Sequence, residues 1–352
     1  MSIWRGKTIR IEIFGASHSD EIGVIINNFP MESFDLSDLK KFLNRRKPTY
    51  SPIFTSRRES DTPFFSGVRN GKIVSKTVKA IIKNEDVKKA DYSYLYAIPR
   101  PSHADLAAYF YDGRLDFSGG GEFSGRLTAP LCVAGGIAKQ FLARRGVFVH
   151  AYLSRVGSVT AKSFGTDEIT ASDFVNYDEK SFPSLDKENE MTEEIEKARS
   201  EGDSVGGVIE CIVFGMKRGV GGSLFDGMEG KIANIVYAVP AVKGVSFGGG
   251  FSLSTLKGSQ TNDQIYIENN DIFTKTNNSG GIDGGIFNGM PVTLSVAIKP
   301  TPSIEKEQDS VSLLTGEKVK IKIKGRHDAC VAVRAVPAIE SAVAIALLDE
   351  LC

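Results

Sequence analysis

The chain has 352 residues, of which 41% are hydrophobic, so it is long enough and apolar enough to bury a full core. Lys and Arg together number 43, as do Asp and Glu, and this net charge of zero provides no electrostatic footprint for nucleic acid or an anionic membrane surface. Residues 1–6 lack the apolar stretch of a signal peptide, and no apolar run approaches the ~20 residues of a membrane span. We therefore expect a cytoplasmic protein that binds neither nucleic acid nor a membrane.

Hydrophobic periodicity and turn residues predict a mixture of helices and strands. A helix is predicted over 37–46, where Ser37 can serve as the N-cap. The Asn-Gly dipeptide at 70–71 predicts the turn of a hairpin that spans 64–83. The other predicted strands are 8–14, 147–159, 205–215, 291–299 and 319–324, and the other predicted helices are 129–145, 192–200, 230–239 and 337–351.

Three polar segments carry little periodicity and are predicted to be surface loops: 163–189, 260–278 and 303–317. Apolar segments continue on both sides of each, so none behaves as a linker, and we predict a single domain over 1–352. The four cysteines are scattered without a Cys-x-x-Cys pair, so neither a disulfide framework nor a metal site is predicted.

One five-residue pattern occurs in both halves of the chain. Gly-x-x-Asn-Gly stands at 67–71 and again at 285–289, and each copy leads into a strand-like run that ends in a lysine. Because Asn-Gly is a strong hairpin signal, we predict one such hairpin in each half and an internal pseudo-two-fold repeat. Chance recurrence of Asn-Gly hairpins is an equally open alternative at this level.

Histidine is scarce, and three of the four residues lie in polar loops, where active sites gather. His18 follows a predicted strand, while His103 and His327 lie among arginine and aspartate. Imidazole has a free pKa of ~6.5, which suits proton transfer near neutral pH. His150 lies inside an apolar strand and is interpreted as structural.

Arginines in glycine-rich loops form a second pattern. A planar guanidinium matches phosphate and carboxylate groups, so several such arginines predict a ligand with more than one anionic group. The loop at 119–128 runs into a helix N-terminus, which favours an anion, and the loop at 299–303 has a similar small, basic composition. Neither a Walker A sequence nor a dinucleotide-binding fingerprint is present at 119–128. The arginines concerned are Arg46, Arg57, Arg100, Arg126 and Arg326.

Taken together, these loops resemble those of the chorismate synthase family. The matching motifs keep the family order across almost the whole chain, which makes the resemblance highly specific. They include Arg-Pro-x-His-Ala-Asp at 100–105 and Gly-Arg-His-Asp at 325–328. The other motifs lie at 15–19, 45–61, 119–128, 202–207, 240–244, 280–286 and 299–301.

The resemblance implies an α+β fold, a sandwich of helices between antiparallel sheets with an internal pseudo-two-fold repeat, assembled as a homotetramer. It also implies a lyase of the shikimate pathway, which eliminates phosphate from 5-enolpyruvylshikimate-3-phosphate to give chorismate. The implied cofactor is reduced FMN (FMNH2), with NADPH only as a reductant of the flavin. This small-molecule substrate carries a phosphate and two carboxylates, in agreement with the number of arginines.

The same resemblance implies roles for individual residues. His18 would protonate the leaving phosphate, His103 would keep the reduced flavin protonated, and Asp328 would act with the flavin in removing the ring proton. Substrate contacts are implied for Ser17, Arg46, Arg57, Arg100, Arg126 and Arg326. FMN contacts are implied for Ser124, Pro240, Ala241, Gly284, Lys299, Pro300, Thr301, Pro302, Ser303 and Arg326.

The chain departs from the family pattern at Ala16, Ser19, Glu122, Phe123 and Leu127. Glu122 replaces an arginine, which reverses the charge where FMN contacts are expected. Two alternatives therefore stay open. One is a divergent relative that binds flavin weakly and lacks lyase activity, and the other is a non-enzymatic module that binds anions or nucleotides.

Overall fold

A computed structural model of the chain describes residues 1–47, 59–85, 94–117, 119–180, 182–323 and 327–352. Its helices are α1 Leu36–Asn44, α2 Asp105–Asp112, α3 Thr128–Arg144, α4 Glu188–Ser200, α5 Met228–Val236, α6 Gly258–Thr261 and α7 Ala332–Glu350. Its strands are β1 Ser2–Arg5, β2 Arg10–Gly15, β3 Glu21–Asn27, β4 Phe64–Ser66, β5 Val68–Arg69, β6 Lys72–Ile73, β7 Thr77–Lys83, β8 Phe148–Val156, β9 Val159–Thr160, β10 Gly207–Phe214, β11 Val242–Phe247, β12 Ile265–Glu268, β13 Asp271–Thr274, β14 Ile282–Asp283, β15 Ile286–Phe287, β16 Val292–Ile298, β17 Gln308–Val311 and β18 Lys318–Ile321. Within these ranges, no helix is both long and apolar enough to cross a membrane.

Two five-stranded antiparallel sheets form two layers of the molecule. The first has the strand order β1-β2-β3-β7-β4, and the second has the order β9-β8-β10-β16-β11. The central strands β3 and β10 are rich in Ile and Val and largely buried. Branched side chains of this kind pack well on a pleated surface, which explains why these segments form the middle of each sheet.

The helices α3 and α7 lie between the sheets and pack against each other. α3 contacts β2, β3 and β7 of the first sheet, and α7 contacts β8 and β10 of the second. Almost every residue of α7 is buried, as expected for a helix that is apolar on all sides. Gly135 of α3 permits a close approach, since a Cβ atom there would lie 2.1 Å from Cβ of Ser341. This arrangement confirms the predicted α+β sandwich.

The two halves of the chain repeat one order of elements. The first half runs β2, β3, α1, β4, the small hairpin β5–β6, β7 and α3. The second runs β8, β10, α5, β11, the small hairpin β14–β15, β16 and α7. An isolated strand bridge also recurs, between Ser33 and Lys72 and again between Gly221 and Ile286. This repeated order agrees with the predicted internal repeat, and the two-fold rotation between the halves stays a prediction.

The two small hairpins turn at different dipeptides. Asn-Gly at 70–71 forms the first turn as predicted, with φ values of 49° and 72°. The second turn lies at the Gly-Gly dipeptide 284–285, with φ values of 60° and 88°, and Asn-Gly at 288–289 only joins β15 to β16. The predicted hairpin at 288–289 is therefore wrong, because Gly-Gly satisfies the positive φ values of such a turn equally well.

Several other predicted boundaries are also wrong. The N-cap of α1 is Asp35, whose carboxylate accepts hydrogen bonds from the amides of Ser37 and Asp38. α7 begins at Ala332, so Pro337 lies inside the helix and does not start it. Strands β12, β13 and β17 lie in segments predicted to be loops, because short and mostly exposed strands have no buried face to produce a periodic pattern.

Glu340 of α7 is fully buried, and two cations from the first half of the chain neutralise it. Its carboxylate accepts hydrogen bonds from Arg45 at 2.8 and 2.9 Å, from the ammonium of Lys139, and from the amide of Ala151 at 2.8 Å. Burial alone would raise the pKa of Glu340, but Arg45 and Lys139 outweigh it and lower the pKa to about 2. This cluster fixes the C-terminal end of α1 against α7 and β8.

Glu340→Gln should destabilise the protein strongly, because it removes the buried carboxylate that Arg45 and Lys139 share and leaves Arg45 only the exposed carboxylate of Asp178. We expect a loss of about 3–5 kcal/mol in the free energy of unfolding, measured by urea denaturation followed by circular dichroism. The difference from the wild type should be complete above the unfolded-state pKa of 4.5 and should vanish as the pH falls through about 2. Glu196→Gln, at an exposed position of α4, is the control and should cost less than about 0.5 kcal/mol. Equal stability of Glu340→Gln and the wild type at neutral pH contradicts this account.

Candidate active site

One cavity collects most of the predicted site residues. Its volume is about 660 Å³, and it lies where the C-terminal ends of α1 and α5 meet the N-terminal ends of α3 and α7. The predicted residues that line it are Ser17, His18, Arg46, Arg100, His103, Ser124, Arg126, Pro240, Ala241, Lys299, Thr301, Pro302, Ser303 and Asp328. Gly284 and Pro300 do not line it, and Arg57 and Arg326 lie outside the described residues.

His18 lies in the turn between β2 and β3, against the glycine-rich loop that precedes α3. The two loops hold each other, since the amide of Ser17 donates to the carbonyl of Gly121 at 3.0 Å and the amide of Gly121 donates to Oγ of Ser17 at 3.1 Å. Gly119 has a φ of 66°, and a Cβ atom there would lie 2.2 Å from Nε2 of His18. A glycine at this position therefore lets the loop approach the imidazole closely.

The turn that carries His18 is closed by two of the residues that depart from the family pattern. The amide of Ala16 donates to Oγ of Ser19 at 2.9 Å, and this hydroxyl lies 2.6 Å from the carbonyl of Glu21. The substitutions at positions 16 and 19 thus leave a hydrogen-bonded turn in place.

Asn84 joins the His18 turn to Arg126. Its side-chain amide donates to the carbonyl of Ser19 at 2.7 Å and to that of Ala16 at 3.2 Å, while Oδ1 accepts from Nε of Arg126 at 2.9 Å. This residue was missed in the sequence because its partners are distant along the chain and an asparagine after a strand carries no signal of such a role.

Arg46 and Arg126 share one buried carboxylate, that of Asp61. Nη1 of Arg46 lies 3.1 Å from Oδ2 of Asp61, and Nη1 of Arg126 pairs with Oδ1. Arg46 also donates from Nε to Oγ1 of Thr128 at 2.8 Å and from Nη2 to the carbonyl of Gly125 at 3.0 Å. The protein itself therefore holds the two guanidiniums close together.

Arg46 and Asp61 are charged at neutral pH. Burial lowers the pKa of Arg46 to about 10, which still leaves it protonated. Burial would raise the pKa of Asp61, but the positive charges of Arg46 and Arg126 outweigh it and lower the pKa. The shared contact is thus a buried ion cluster with one negative and two positive members.

His103 forms a cluster with Asp105 and Arg100. Nδ1 of His103 lies 2.5 Å from Oδ1 of Asp105, and Nε of Arg100 lies 2.7 Å from Oδ2. Burial would raise the pKa of Asp105, but hydrogen bonds from Arg100 and His103 lower it to about 2, so the carboxylate is ionised. Nδ1 of His103 then carries the hydrogen, which leaves Nε2 as the ring nitrogen that can act on a ligand.

Arg100 is buried and bonds mainly to the protein. Nη2 donates to Oδ1 of Asp105 at 2.8 Å and to the carbonyl of Gly119 at 2.6 Å. Arg100 therefore ties the His103 loop to the glycine-rich loop, and its contact with substrate stays a prediction.

Asp328 precedes α7 and is paired with Arg334 of that helix. Nη1 of Arg334 lies 2.9 Å from Oδ2 of Asp328, and Nε donates to the carbonyl of Arg46 at 3.2 Å. Arg334 lines the cavity but was missed in the sequence, because it lies between the motif at 325–328 and the helix predicted to begin at 337.

Burial, followed by the positive charge of Arg100, lowers the pKa of His327 to about 4, so this cavity-lining imidazole is neutral at pH 7.

The opposite wall of the cavity comes from the second half of the chain. Lys299 follows β16, its amide donates to the carbonyl of Ala241 at 3.0 Å, and its ammonium contacts the carbonyl of Ser102. Ala241 has a φ of 73°, which is unusual for a residue other than glycine. The contact between Lys299 and Ser102 joins this wall to the His103 loop.

Two residues with implied FMN contacts lie away from the cavity. Gly285, next to Gly284 in the turn, packs against Gly222 and Gly227 at the start of α5, whereas the cavity lies at the other end of this helix. The ring of Pro300 faces Gly206, where an added Cβ would lie 3.1 Å from the proline Cδ. The FMN contacts of Gly284 and Pro300 therefore stay predictions.

Glu122, the residue that reverses the family charge, is paired with an arginine nearby. Its Oε1 lies 2.7 Å from Nη2 of Arg114, whose guanidinium lies 5.5 Å from the ring centroid of Phe123. Arg114 is also paired with Asp112, so this one cation is shared by two carboxylates and offsets the charge reversal only in part.

A cavity lined by buried arginines, lysines and imidazoles is typical of an enzyme that acts on a small molecule. Its family follows from comparison with known proteins. A sequence profile of the chorismate synthase family matches residues 9–352. The chain is 40% identical over 350 residues to the chorismate synthase of Thermococcus kodakarensis, covering 99% of this chain and 97% of that protein.

Two further comparisons agree. The chorismate synthase of Korarchaeum cryptofilum is 40% identical over 350 residues, covering 98% of this chain and 96% of that protein. A crystal structure of chorismate synthase matches with a TM-score of 0.77 at 25% identity, over 99% of this chain and 92% of that one. The chain therefore belongs to the chorismate synthase family, and the resemblance seen in its motifs is confirmed. Because this is a family of lyases, the alternative of a non-enzymatic binding module is not favoured.

Gly119→Ala should disturb His18 more than it disturbs the fold, because the added methyl group would overlap Nε2 of the imidazole. Gly121→Ala is the matched control, since Gly121 also has a positive φ, of 54°, but nothing lies within 4 Å of its added Cβ. We expect each variant to lose about 1 kcal/mol of stability, and only Gly119→Ala to lose about a hundredfold in turnover. Thermal unfolding and anaerobic chorismate formation measure the two effects. Equal turnover by the two variants would show that the loop does not position His18.

Proposed function

We propose that this chain catalyses the FMNH2-dependent 1,4-anti-elimination of phosphate from 5-enolpyruvylshikimate-3-phosphate, which gives chorismate. The observation that carries the proposal is the meeting of His18, His103 and Asp328 with paired arginines around one cavity. These residues lie far apart in the sequence, so their convergence supports the roles that the family motifs imply.

The reaction sets three requirements for the protein. It breaks the carbon–oxygen bond to phosphate, removes a ring proton and forms a carbon–carbon double bond, with no net change in oxidation state. The site must therefore hold a phosphate and two carboxylates, supply a proton to the departing phosphate, and accept a proton from the ring.

Arg46 and Arg126 are the strongest candidates for holding substrate anions. Both line the cavity, and both are buried to more than nine-tenths, with exposures of 2% and 6%. Asp61 and Asn84 hold them in place, so little reorganisation is needed when an anion binds. Charge-assisted hydrogen bonds from such groups are roughly twice as strong as neutral ones.

His18 is the candidate general acid toward the departing phosphate. It lines the cavity beside the glycine-rich loop, whose amides precede the N-terminus of α3. A helix N-terminus favours negative charge, so this is a suitable place for a phosphate that gains charge as it leaves. General-acid help of this kind contributes typically ~10²–10⁴-fold.

The residues of the second wall fit FMN. Oγ1 of Thr301 is buried and has no hydrogen-bond partner in the described ranges, so a ligand can satisfy it. Pro240 and Ala241 give an apolar edge beside Lys299, which suits a planar ring system with a charged tail. Reduced FMN, when bound, supplies electron density that is used transiently and returned. NADPH can serve only as a source of electrons to reduce it.

Two side chains are the candidates for handling protons at the flavin and the substrate ring. His103, anchored through Nδ1 to Asp105, would use Nε2 to keep the reduced flavin protonated. Asp328, held by Arg334, would take part in removing the ring proton.

We also propose that the chain assembles as a homotetramer. Several large apolar side chains are almost fully exposed, and such patches mark interaction sites. They are Leu224 at 89%, Phe225 at 98%, Phe251 at 88%, and Ile265 and Ile267 at 73% each. The hairpin β12–β13 is exposed along most of its length, and a lone two-stranded hairpin is only marginally stable in water.

An anaerobic turnover assay tests the proposed reaction. The wild-type protein is supplied with the substrate and saturating, dithionite-reduced FMN, and phosphate and chorismate are quantified together. Release of both in equal amounts, only when reduced FMN is present, supports the proposal. Absence of turnover by folded, FMN-saturated protein overturns it in favour of a divergent relative without lyase activity.

His18→Ala should slow phosphate release and leave FMN affinity nearly intact, because the imidazole acts on the leaving group. We expect kcat to fall about a hundredfold or more, while the Kd for FMN, measured by quenching of flavin fluorescence, changes less than about twofold. His150→Gln is the control, since His150 stacks on Phe174 at 4.4 Å and does not line this cavity. A variant at position 18 with the parent rate rules out the assigned general acid.

Arg114→Gln should weaken FMN binding, because it leaves the carboxylate of Glu122 at the cavity without its nearest cation. We expect the Kd for FMN to rise about two- to fivefold, a small effect because the pair is partly exposed to solvent. The double variant Arg114→Gln/Glu122→Gln removes both charges and should restore most of the affinity. If the second substitution restores nothing, charge compensation at Glu122 is not the reason that the site tolerates it.

A further inference from the structure

Asn84 lies directly after β7 and holds the turn that carries His18 from both sides. Its side-chain amide donates to the carbonyls of Ala16 and Ser19, and its backbone amide donates to the carbonyl of Asp20 at 3.0 Å. These three acceptors lie before and after His18 in the chain, so the backbone that carries the imidazole is fixed at both ends. Asn84 itself is half-buried and does not line the cavity.

The oxygen of the same side-chain amide holds Arg126. Oδ1 of Asn84 accepts from Nε of Arg126 at 2.9 Å, while Asp61 pairs with Nη1, so the protein fixes two of the three guanidinium nitrogens. One side chain therefore sets the position of the His18 imidazole relative to the Arg126 guanidinium. Both of these groups line the cavity, although they come from different loops, one before β3 and the other before α3.

The next residue in the chain extends this link to Asp61. The carboxylate of Glu85 accepts hydrogen bonds from the amide and the hydroxyl of Ser60 at 3.1 and 2.9 Å. Because Ser60 directly precedes Asp61, the residues after β7 also anchor the carboxylate that pairs with Arg126. Two adjacent residues outside the cavity thus connect three separate segments of the active site.

The side chain of an asparagine suits this position. It offers two donors and an acceptor on one planar group without adding charge, and the three contacts with Ala16, Ser19 and Arg126 use both kinds of atom. Proton transfer requires the donor to lie within ~2.6–3.2 Å of its acceptor. A displacement of ~1 Å at a reacting group can cost ~10²-fold in rate, so the position that Asn84 gives to His18 should be visible in kcat.

We propose that Asn84 is a positioning residue for proton transfer, because it keeps the imidazole of His18 aligned with the substrate that Arg126 holds. Asn84 acts on the reaction only through these two partners. The inference rests on the proposed function, and it goes beyond the support of Arg126 because it gives Asn84 a part in the delivery of the proton.

A double-mutant cycle with His18→Ala tests the inference. Asn84→Ala should lower kcat about tenfold to a hundredfold through His18 and raise the KM about threefold through Arg126. In the His18→Ala background it should lower kcat less than about threefold, because the group that it positions is absent, while its effect on the KM remains. Asn28→Ala is the matched control, since it also removes a side-chain amide that donates to a backbone carbonyl, that of Thr8 at 2.9 Å, and it should change neither constant.

A second variant and a measurement that needs no turnover complete the test. Asn84→Asp keeps the shape and the acceptor for Arg126 but loses the donors to the His18 turn, so it should lower kcat about as much as Asn84→Ala. If Asn84→Ala does not fold, the cycle is run with Asn84→Asp. In protein labelled with ¹³C at histidine Cε1, the ring resonance of His18 is assigned by its absence from His18→Ala. This resonance should shift in both Asn84 variants and stay in place in Asn28→Ala.

Equal fold-losses of kcat in the two backgrounds, or an unmoved His18 resonance in folded Asn84 variants, would overturn the inference. Chorismate formation by the wild type together with either result rejects the positioning role alone. A wild type that forms no chorismate rejects the proposed reaction, and the resonance of His18 then decides by itself whether Asn84 positions the imidazole.

Discussion

The carboxylate of Asp61 is the contact on which the candidate site most depends. It lies between Arg46 and Arg126, and without it two buried guanidiniums would repel each other in a medium that screens charge poorly. Arg46 extends the same cluster to Thr128 at the start of α3 and, through its carbonyl, to Arg334 of α7. One buried group of ions therefore fixes the ends of three helices around the cavity, and the arginines need little rearrangement to receive an anion.

The cavity lies where equivalent parts of the two halves meet. The C-terminal ends of α1 and α5 both reach it, as do the N-terminal ends of α3 and α7 and the segments after β7 and β16. The repeated scaffold nevertheless carries different chemistry on each side. The first half supplies His18, His103 and three carboxylate-paired arginines. The second half supplies His327, the pair of Asp328 and Arg334, and lysines that have no carboxylate partner in the described ranges. A symmetric framework thus provides an asymmetric site, as an asymmetric substrate and cofactor require.

The sequence predicted the fold class, and most of the predicted site residues line the cavity, because the motif residues lie in loops whose order and spacing are distinctive. The groups that position them had no signal. Asn84 bonds to Ser19 and Arg126, which are far away in the chain, and Arg334 joins nearby Asp328 to distant Arg46. Nothing in the local sequence of Asn84 or Arg334 distinguishes it from a surface residue. The turn of the second hairpin was predicted at the wrong dipeptide, because both Gly-Gly and Asn-Gly can adopt the positive φ values that the turn requires. The chain turns at Gly284 instead of Asn288. The start of α7 was also predicted wrongly. Pro337 does not begin the helix, because the residues from Ala332 onward already form its first turn.

The central claim is that the cavity performs an elimination in which the flavin is required but not consumed. A single-turnover experiment without oxygen tests it most directly, with protein, reduced FMN and substrate in equal amounts. Flavin absorbance is followed while chorismate and phosphate are quantified. We predict one equivalent of each product and a flavin that ends fully reduced. Product formation accompanied by stoichiometric flavin oxidation, or phosphate release without chorismate, contradicts the account.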